Sequence, residues 1–232
     1  GAGKETEDNQ MILNQDDPDF TRMNWFISGQ QTAFEYPIAS LGPQPLEISG
    51  AGAHWLDATT LVWQVETAQV NEIRLHHSAS AGIEANLGNQ LNGTSVVLTA
   101  SDQSDELQAT YPLTAGWPTY TIDATADEVK AIVKNELVLA AYDADGNAFS
   151  ATYVQAAKVL DDLYTSGEAD ADEATLGVVY EGDAITANLW APTAQSVALK
   201  VYDANKDLVS NNAMTEDTTT GIWSFAGDSS LD

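Results

Sequence analysis

Short runs that alternate apolar and polar residues, each bounded by turn residues, recur along the whole chain. They read "MNWFIS", "TAFEYPI", "TLVWQV", "EIRLHHS", "SVVLTA", "ELVLAAYD", "AFSATYVQ", "AITANLWAP", "SVALKVYD" and "GIWSFAG". A period of two gives one buried and one wet face only to an extended strand, and runs at this spacing predict antiparallel, immunoglobulin-like β-sandwiches. At 232 residues the chain has room for two.

Connectors divide the pattern. Residues 41–52, "LGPQPLEISGAG", have the Pro and Gly content of a linker, and residues 164–177, "YTSGEADADEATLG", are acidic without apolar rhythm. The expected organisation is an extension at 1–40, a first sandwich at 41–165, an acidic linker at 166–174 and a second sandwich at 175–232. One helix is predicted in the first sandwich, in "TADEVKAIVKNEL". Thr125 is its N-cap with Glu128 three residues on, and Val129, Ile132 and Val133 fall on one face that covers an end of the sandwich.

The 35 acidic residues against 8 basic ones give a net charge of −27, which repels polyanions. Nucleic acid and anionic membranes are excluded as partners, and a neutral ligand suits the surface. Without cysteine there is neither a disulfide framework nor a thiolate metal site. The polar start, "GAGKETEDNQ", lacks the apolar centre of a signal peptide and reads as a processed or trimmed end, and no run is long enough to span a membrane.

Asp143, Asp145 and Asn147 have the first three ligand spacings of a calcium loop, with Gly146 at the bend. Val154, however, stands where an EF-hand needs a bidentate Glu. Calcium and a tight hairpin turn are thus rival readings of the same residues. His76 and His77 are adjacent and point to opposite faces of a strand, and His54 beside Trp55 reads as structural. Asp161 and Asp162 form the densest carboxylate pair, yet adjacent side chains diverge, whereas a glycosidase pair faces across a sugar; a capped turn or interdomain salt bridge is expected instead. No nucleophile elbow, phosphate loop or HExxH motif occurs, so no catalytic residue is assigned. Of six tryptophans only Trp117, between Gly116 and Pro118, is placed in a turn where it could stack on a sugar.

The segment "NLWAPTAQSVALKVYDANKDLVSNNAMTEDTTTGIWSFAG" resembles the carbohydrate-binding module family 48 sandwich that precedes the catalytic barrel in type I pullulanases and limit dextrinases. "LWAPTA" (Leu189 to Ala194), "VYD" (Val201 to Asp203) and the G-x-W-S of Gly221, Trp223 and Ser224 carry the match. Upstream, "GAHWLDATTLVWQV", "TYPLTAGWPTY" and "LVLAAYDADGNAFSATYVQAAKVLDDLY" resemble the pullulanase N-terminal sandwich, and "MNWFISGQQTAFEYPI" is similar to the last strands of a family 41 starch-binding module.

The resemblance implies a non-catalytic, secreted or cell-surface bacterial fragment of a debranching enzyme. Its parent hydrolyses α-1,6 bonds in pullulan, amylopectin or limit dextrins, and its partners are an α-glucan such as pullulan or starch and a downstream catalytic barrel. A stand-alone adhesin-like sandwich would share the strand pattern and the acidity, but is not expected to carry "LWAPTA" followed by G-x-W-S. The segment after Thr175 shows four strand-like runs where a full sandwich has about seven. It is therefore expected to be incomplete, with an uncovered apolar face at Leu189, Val197, Leu199 and Trp223.

Overall fold

A computed structural model describes residues 45–167 and 170–228, together with the backbone of residues 22–25 and 34–37. Residues 1–44 and 45–232 form separate units. In the first unit β1 (Arg22–Trp25) and β2 (Phe34–Pro37) pair as antiparallel strands, with Met23 opposite Tyr36. The rest of the family 41 reading lies outside the described residues.

The second unit begins with seven strands: β3 (Ala53–Trp55), β4 (Thr60–Trp63), β5 (Glu72–Ser78), β6 (Thr94–Ser101), β7 (Thr119–Thr121), β8 (Glu136–Tyr142) and β9 (Ala148–Gln155). They hydrogen-bond in the order β3-β4-β7-β6-β5-β8-β9. A short parallel pair, with Ala53 opposite Val154, joins β9 back to β3, so the sandwich presents no open edge. All other pairs are antiparallel.

The near-continuous apolar run of β8 follows from burial on both faces. Leu137, Leu139 and Ala141 enter the main core with Trp55, Leu61, Ile73 and Leu75. Val138, Ala140 and Tyr142 point the other way, beneath Ile83, Leu46 and Ile48. Burying a side chain of this size contributes roughly 2–3 kcal/mol.

Three helices close the domain: α1 (Asp105–Thr110), α2 (Ala126–Ile132) and α3 (Ala157–Tyr164). α2 is the helix expected from the sequence. Thr125 and Glu128 form a reciprocal capping box, and Val129, Ile132 and Val133 are buried in the main core. The hairpin between β8 and β9 is held by Asp143, whose Oδ1 accepts from the amides of Asp145 (3.0 Å) and Asn147 (2.8 Å), with Gly146 at φ +80°.

Beyond a 3-10 turn at Ala171–Glu173 the second domain has six strands among the described residues. β10 (Gly177–Glu181), β11 (Ala184–Trp190), β15 (Ile222–Asp228) and β14 (Thr215–Asp217) form one sheet; β12 (Ala198–Tyr202) and β13 (Leu208–Ala213) form another. That is two strands more than the four runs legible in the sequence. The core is small: Ala187, Met214 and Trp223, with Val197, Leu199 and Phe225 packed against them.

The expected uncovered face is corrected in part. Trp223 is only 7% exposed, because β12 brings Leu199 over it and its Nε1 donates to Ala191 O at 3.1 Å; Val197 and Leu199 are half-buried. Leu189 is exposed as expected, and the strand register places Val178 and Tyr180 on the same face as Leu189 and Trp223.

Candidate functional site

The two domains are fastened by groups that project from the end of α2. Lys130, in its last turn, donates from Nζ to the carbonyls of Thr218 (3.0 Å) and Thr219 (3.1 Å), and lies 4.5 Å from the centre of the Tyr164 ring. Just past the helix, Lys134 Nζ meets both carboxylate oxygens of Glu216 at 2.5 and 2.6 Å, and lies 5.7 Å from the Trp223 ring. These are two of only 8 basic residues in the chain. A bidentate, largely covered pair of this kind contributes on the order of 1–2 kcal/mol. The cation–π contacts add about 0.5–1 kcal/mol each.

Packing reinforces the strap. Gln195 Nε2 donates to Ala79 O at 2.8 Å, and Trp190 packs on the first domain's core while its Nε1 donates to Thr220 O at 3.0 Å. Gly221 sits at φ +69°, where an added Cβ would lie 2.7 Å from Pro192 Cβ and 3.2 Å from the Tyr164 ring. A cleft of about 360 Å³ remains at the seam, lined by Asp127, Lys130, Ala131, Lys134, Tyr164, Glu216 and Thr218. Burial, with Glu216 nearby, pushes the Tyr164 phenol up to about 12, so this ring stays neutral. Of these seam residues the sequence pointed to Trp190, Pro192, Gly221 and Trp223 as parts of the motifs that carry the resemblance, and assigned no role to Lys130, Lys134, Tyr164, Gln195 and Glu216. The available signal was two lysines four apart on a helix of a chain that otherwise avoids basic residues.

The residues singled out as candidate sites fall elsewhere. Trp117 is half-buried in the loop before β7, tilted against His54 with ring centres 5.7 Å apart. Asp143, Asp145 and Asn147 occupy the β8–β9 turn described above, at the far end of their strands. Among the described residues no group of three or more His, Cys, Asp or Glu is arranged to hold a metal ion. Asp161 and Asp162 lie on α3, a helix where a capped turn was expected, and Asp162 Oδ2 accepts from the amide of Ala58 at 2.8 Å. That bond joins α3 to the β3–β4 turn inside the first domain, which corrects the expectation of an interdomain salt bridge.

The adjacent histidines diverge, as a strand requires. His76 is buried, with Nδ1 3.0 Å from Asn92 O and Nε2 2.8 Å from the Tyr142 hydroxyl, and Arg74 stacks on that same Tyr142 ring. His77 meets Asn135.

Burial is the largest influence on His54, His76 and His77, and it lowers all three from the ordinary value of 6.5. The unfolded chain therefore binds protons at these sites first as the pH falls below 6.5. Stability is expected to decline from pH 6.5 downward until the folded-state values are reached. Urea unfolding of the chain at about pH 7 and pH 5 should show a lower midpoint at the acid pH, and His76→Gln should flatten the difference. An unchanged midpoint would contradict the assignment.

Two β-domains, fastened to each other along one seam, define a tandem β-sandwich protein. Residues 50–162 match the family described as Pullulanase N2 domain, and residues 175–232 match Carbohydrate-binding module 48 (Isoamylase N-terminal domain). In sequence the chain is thus homologous to the N-terminal region of pullulanases.

A pullulanase of Klebsiella pneumoniae is 34% identical over 181 residues, which cover 78% of this chain and 16% of that relative. Pullulanase 1, chloroplastic, of Arabidopsis thaliana is 24% identical over 179 residues, covering 75% of this chain and 18% of the relative. The crystal structure of apo pullulanase from Klebsiella pneumoniae superposes with a TM-score of 0.72 at 33% identity, covering 80% of this chain and 19% of that one. The chain thus spans less than a fifth of the length of these relatives.

Proposed function

We propose that these residues act as a rigid two-domain support in a pullulanase-type debranching enzyme. They would fix the catalytic domain in place and offer a secondary surface to the α-glucan, pullulan or starch, on which that enzyme acts. The observation that carries the reading is the strap. Two modules joined by Lys130, Lys134, Glu216 and a packed glycine transmit orientation, whereas modules on a free tether do not.

An exported setting at a bacterial cell is part of the proposal. It is supported by the bacterial pullulanases of Klebsiella that the chain resembles. Among the described residues no helix is long and apolar enough to cross a membrane.

Chemistry is expected elsewhere in the enzyme. The 232-residue chain, incubated with pullulan at high concentration, should release no reducing ends, and Asp161→Asn should change nothing. Turnover that survives repeated purification and disappears in Asp161→Asn would overturn the reading.

A further inference from the structure

The loop between β6 and β7 does not behave like a connector whose apolar groups are there to pack. Within seven residues it carries Tyr111, Leu113 and Trp117. Leu113 is 91% exposed, and the two rings are only half-buried. Its backbone is nonetheless tightly held. Thr114 N and Oγ1 both donate to Tyr111 O at 3.0 Å, Trp117 N donates to Thr114 O at 3.1 Å, and Thr119 Oγ1 donates to Trp117 O at 2.9 Å. Gly116, at φ +77°, has no atom beyond its chain neighbours within 4 Å of where a Cβ would stand, so the turn itself is uncrowded. A stiff loop that displays apolar surface has met its folding requirements without covering it.

Polar groups border the display. The Lys158 ammonium lies 5.3 Å from the centre of the Tyr111 ring and 3.3 Å from His54 Nδ1, and His54 in turn packs on Trp117, so one linked cluster joins both rings. The charges of Asp161, Asp162 and Asp57 act on Tyr111. Asp162 is engaged with Ala58, whereas the exposed Asp161 carboxylate, the indole N–H of Trp117 and the Tyr111 hydroxyl make no hydrogen bond among the described residues. Flat apolar faces beside unengaged donors and acceptors match a hexose, which has an apolar C–H face and a rim of hydroxyls. The net charge of −27 selects a neutral ligand over an anionic one.

We propose that Tyr111, Leu113 and Trp117 form a stacking ledge for α-linked glucose units, with Lys158 donating to sugar hydroxyls and Asp161 accepting from them. The choice of an α-glucan rests on the function proposed above; the ledge itself rests on the loop. It is a site on the first domain, separate from the seam.

Affinity electrophoresis tests it: the intact 232-residue chain is run in native gels with and without pullulan, beside Trp117→Ala, Trp117→Phe, Tyr111→Ala, Asp161→Asn and a remote control, Lys200→Ala. The chain should be retarded by pullulan. Trp117→Ala and Tyr111→Ala should each weaken the retardation by about threefold to tenfold, the span of a single stacked ring. Trp117→Phe should keep most of the effect, Asp161→Asn should weaken it, and Lys200→Ala should leave it unchanged. Should either alanine variant lose its fold by circular dichroism, Trp117→Phe and Asp161→Asn decide. Retardation that persists in all ledge variants overturns the site and leaves glucan binding elsewhere on the chain. No retardation of the wild-type chain overturns both the site and its glucan affinity, while leaving the support role, which stands on the seam.

Discussion

Trp223→Ala is expected to remove about 3–5 kcal/mol of stability, the range for truncating a large buried aromatic. The ring is the centre of the second domain's small core, packed among Ala187, Met214, Leu199 and Phe225, and its removal leaves a cavity at that centre. Two further contacts go with it: the Nε1 bond to Ala191 O and the approach of Lys134. The loss should be local. Near-ultraviolet circular dichroism and urea unfolding should show the second domain molten at temperatures where the first retains Trp55 and its neighbours fully packed. A variant within about 1 kcal/mol of wild type would mean that this core contributes little to holding residues 175–228.

Gly221→Ala is expected to be nearly as damaging, at roughly 3 kcal/mol, for a different reason. A positive φ already disfavours an L side chain by about 1–2 kcal/mol. The new methyl would also collide with Pro192 at 2.7 Å and crowd Tyr164. Pro192 belongs to "LWAPTA" and Gly221 to G-x-W-S, so the two most recognisable motifs of the second domain meet at one close approach on the seam. Thermal unfolding should show the loss, and Gly182→Ala is the control. Gly182 also has positive φ but nothing within 4 Å, so only the backbone part of the penalty should appear. Equal losses at both glycines would show that the close approach is immaterial.

The strands were legible wherever a run has one wet and one dry face, and α2 was legible because a capping box marks its start. What escaped was set by tertiary contact. β13 and β14, "LVSNNA" and "TED", are polar and take their strand geometry from pairing with β12 and β15 rather than from an apolar rhythm of their own. α3 has no side-chain cap at Ala156 and spans only eight residues; it is helical because Val159, Leu163 and Tyr164 all reach the main core. α1 buries none of its residues and is fixed by Ser104, whose hydroxyl accepts from Leu107 N.

The seam was invisible for the same reason. Nothing in the spacing of Lys130 and Lys134 says that the Thr218 and Thr219 carbonyls and the Glu216 carboxylate, more than 80 residues away, will meet them. Trp117 was legible as a residue out of place in a turn, whereas its link through His54 and Lys158 to Tyr111, and the placing of Asp161 on the same helix as Lys158, are set by the fold.

Hydrogen exchange on the dilute monomer, resolved by region, tests most directly whether the two domains form one support. Protection in the second domain should be graded from the seam outward. Amides of β11 and β15 should open together with those of β5 and β8, while exposed β10 and the β12–β13 pair exchange sooner. Lys134→Ala should uncouple the two groups, with β11 and β15 now opening first. If β11 and β15 of the wild-type chain already exchange far ahead of β5 and β8, and Lys134→Ala changes nothing, the domains are independent beads and the strap does not hold them.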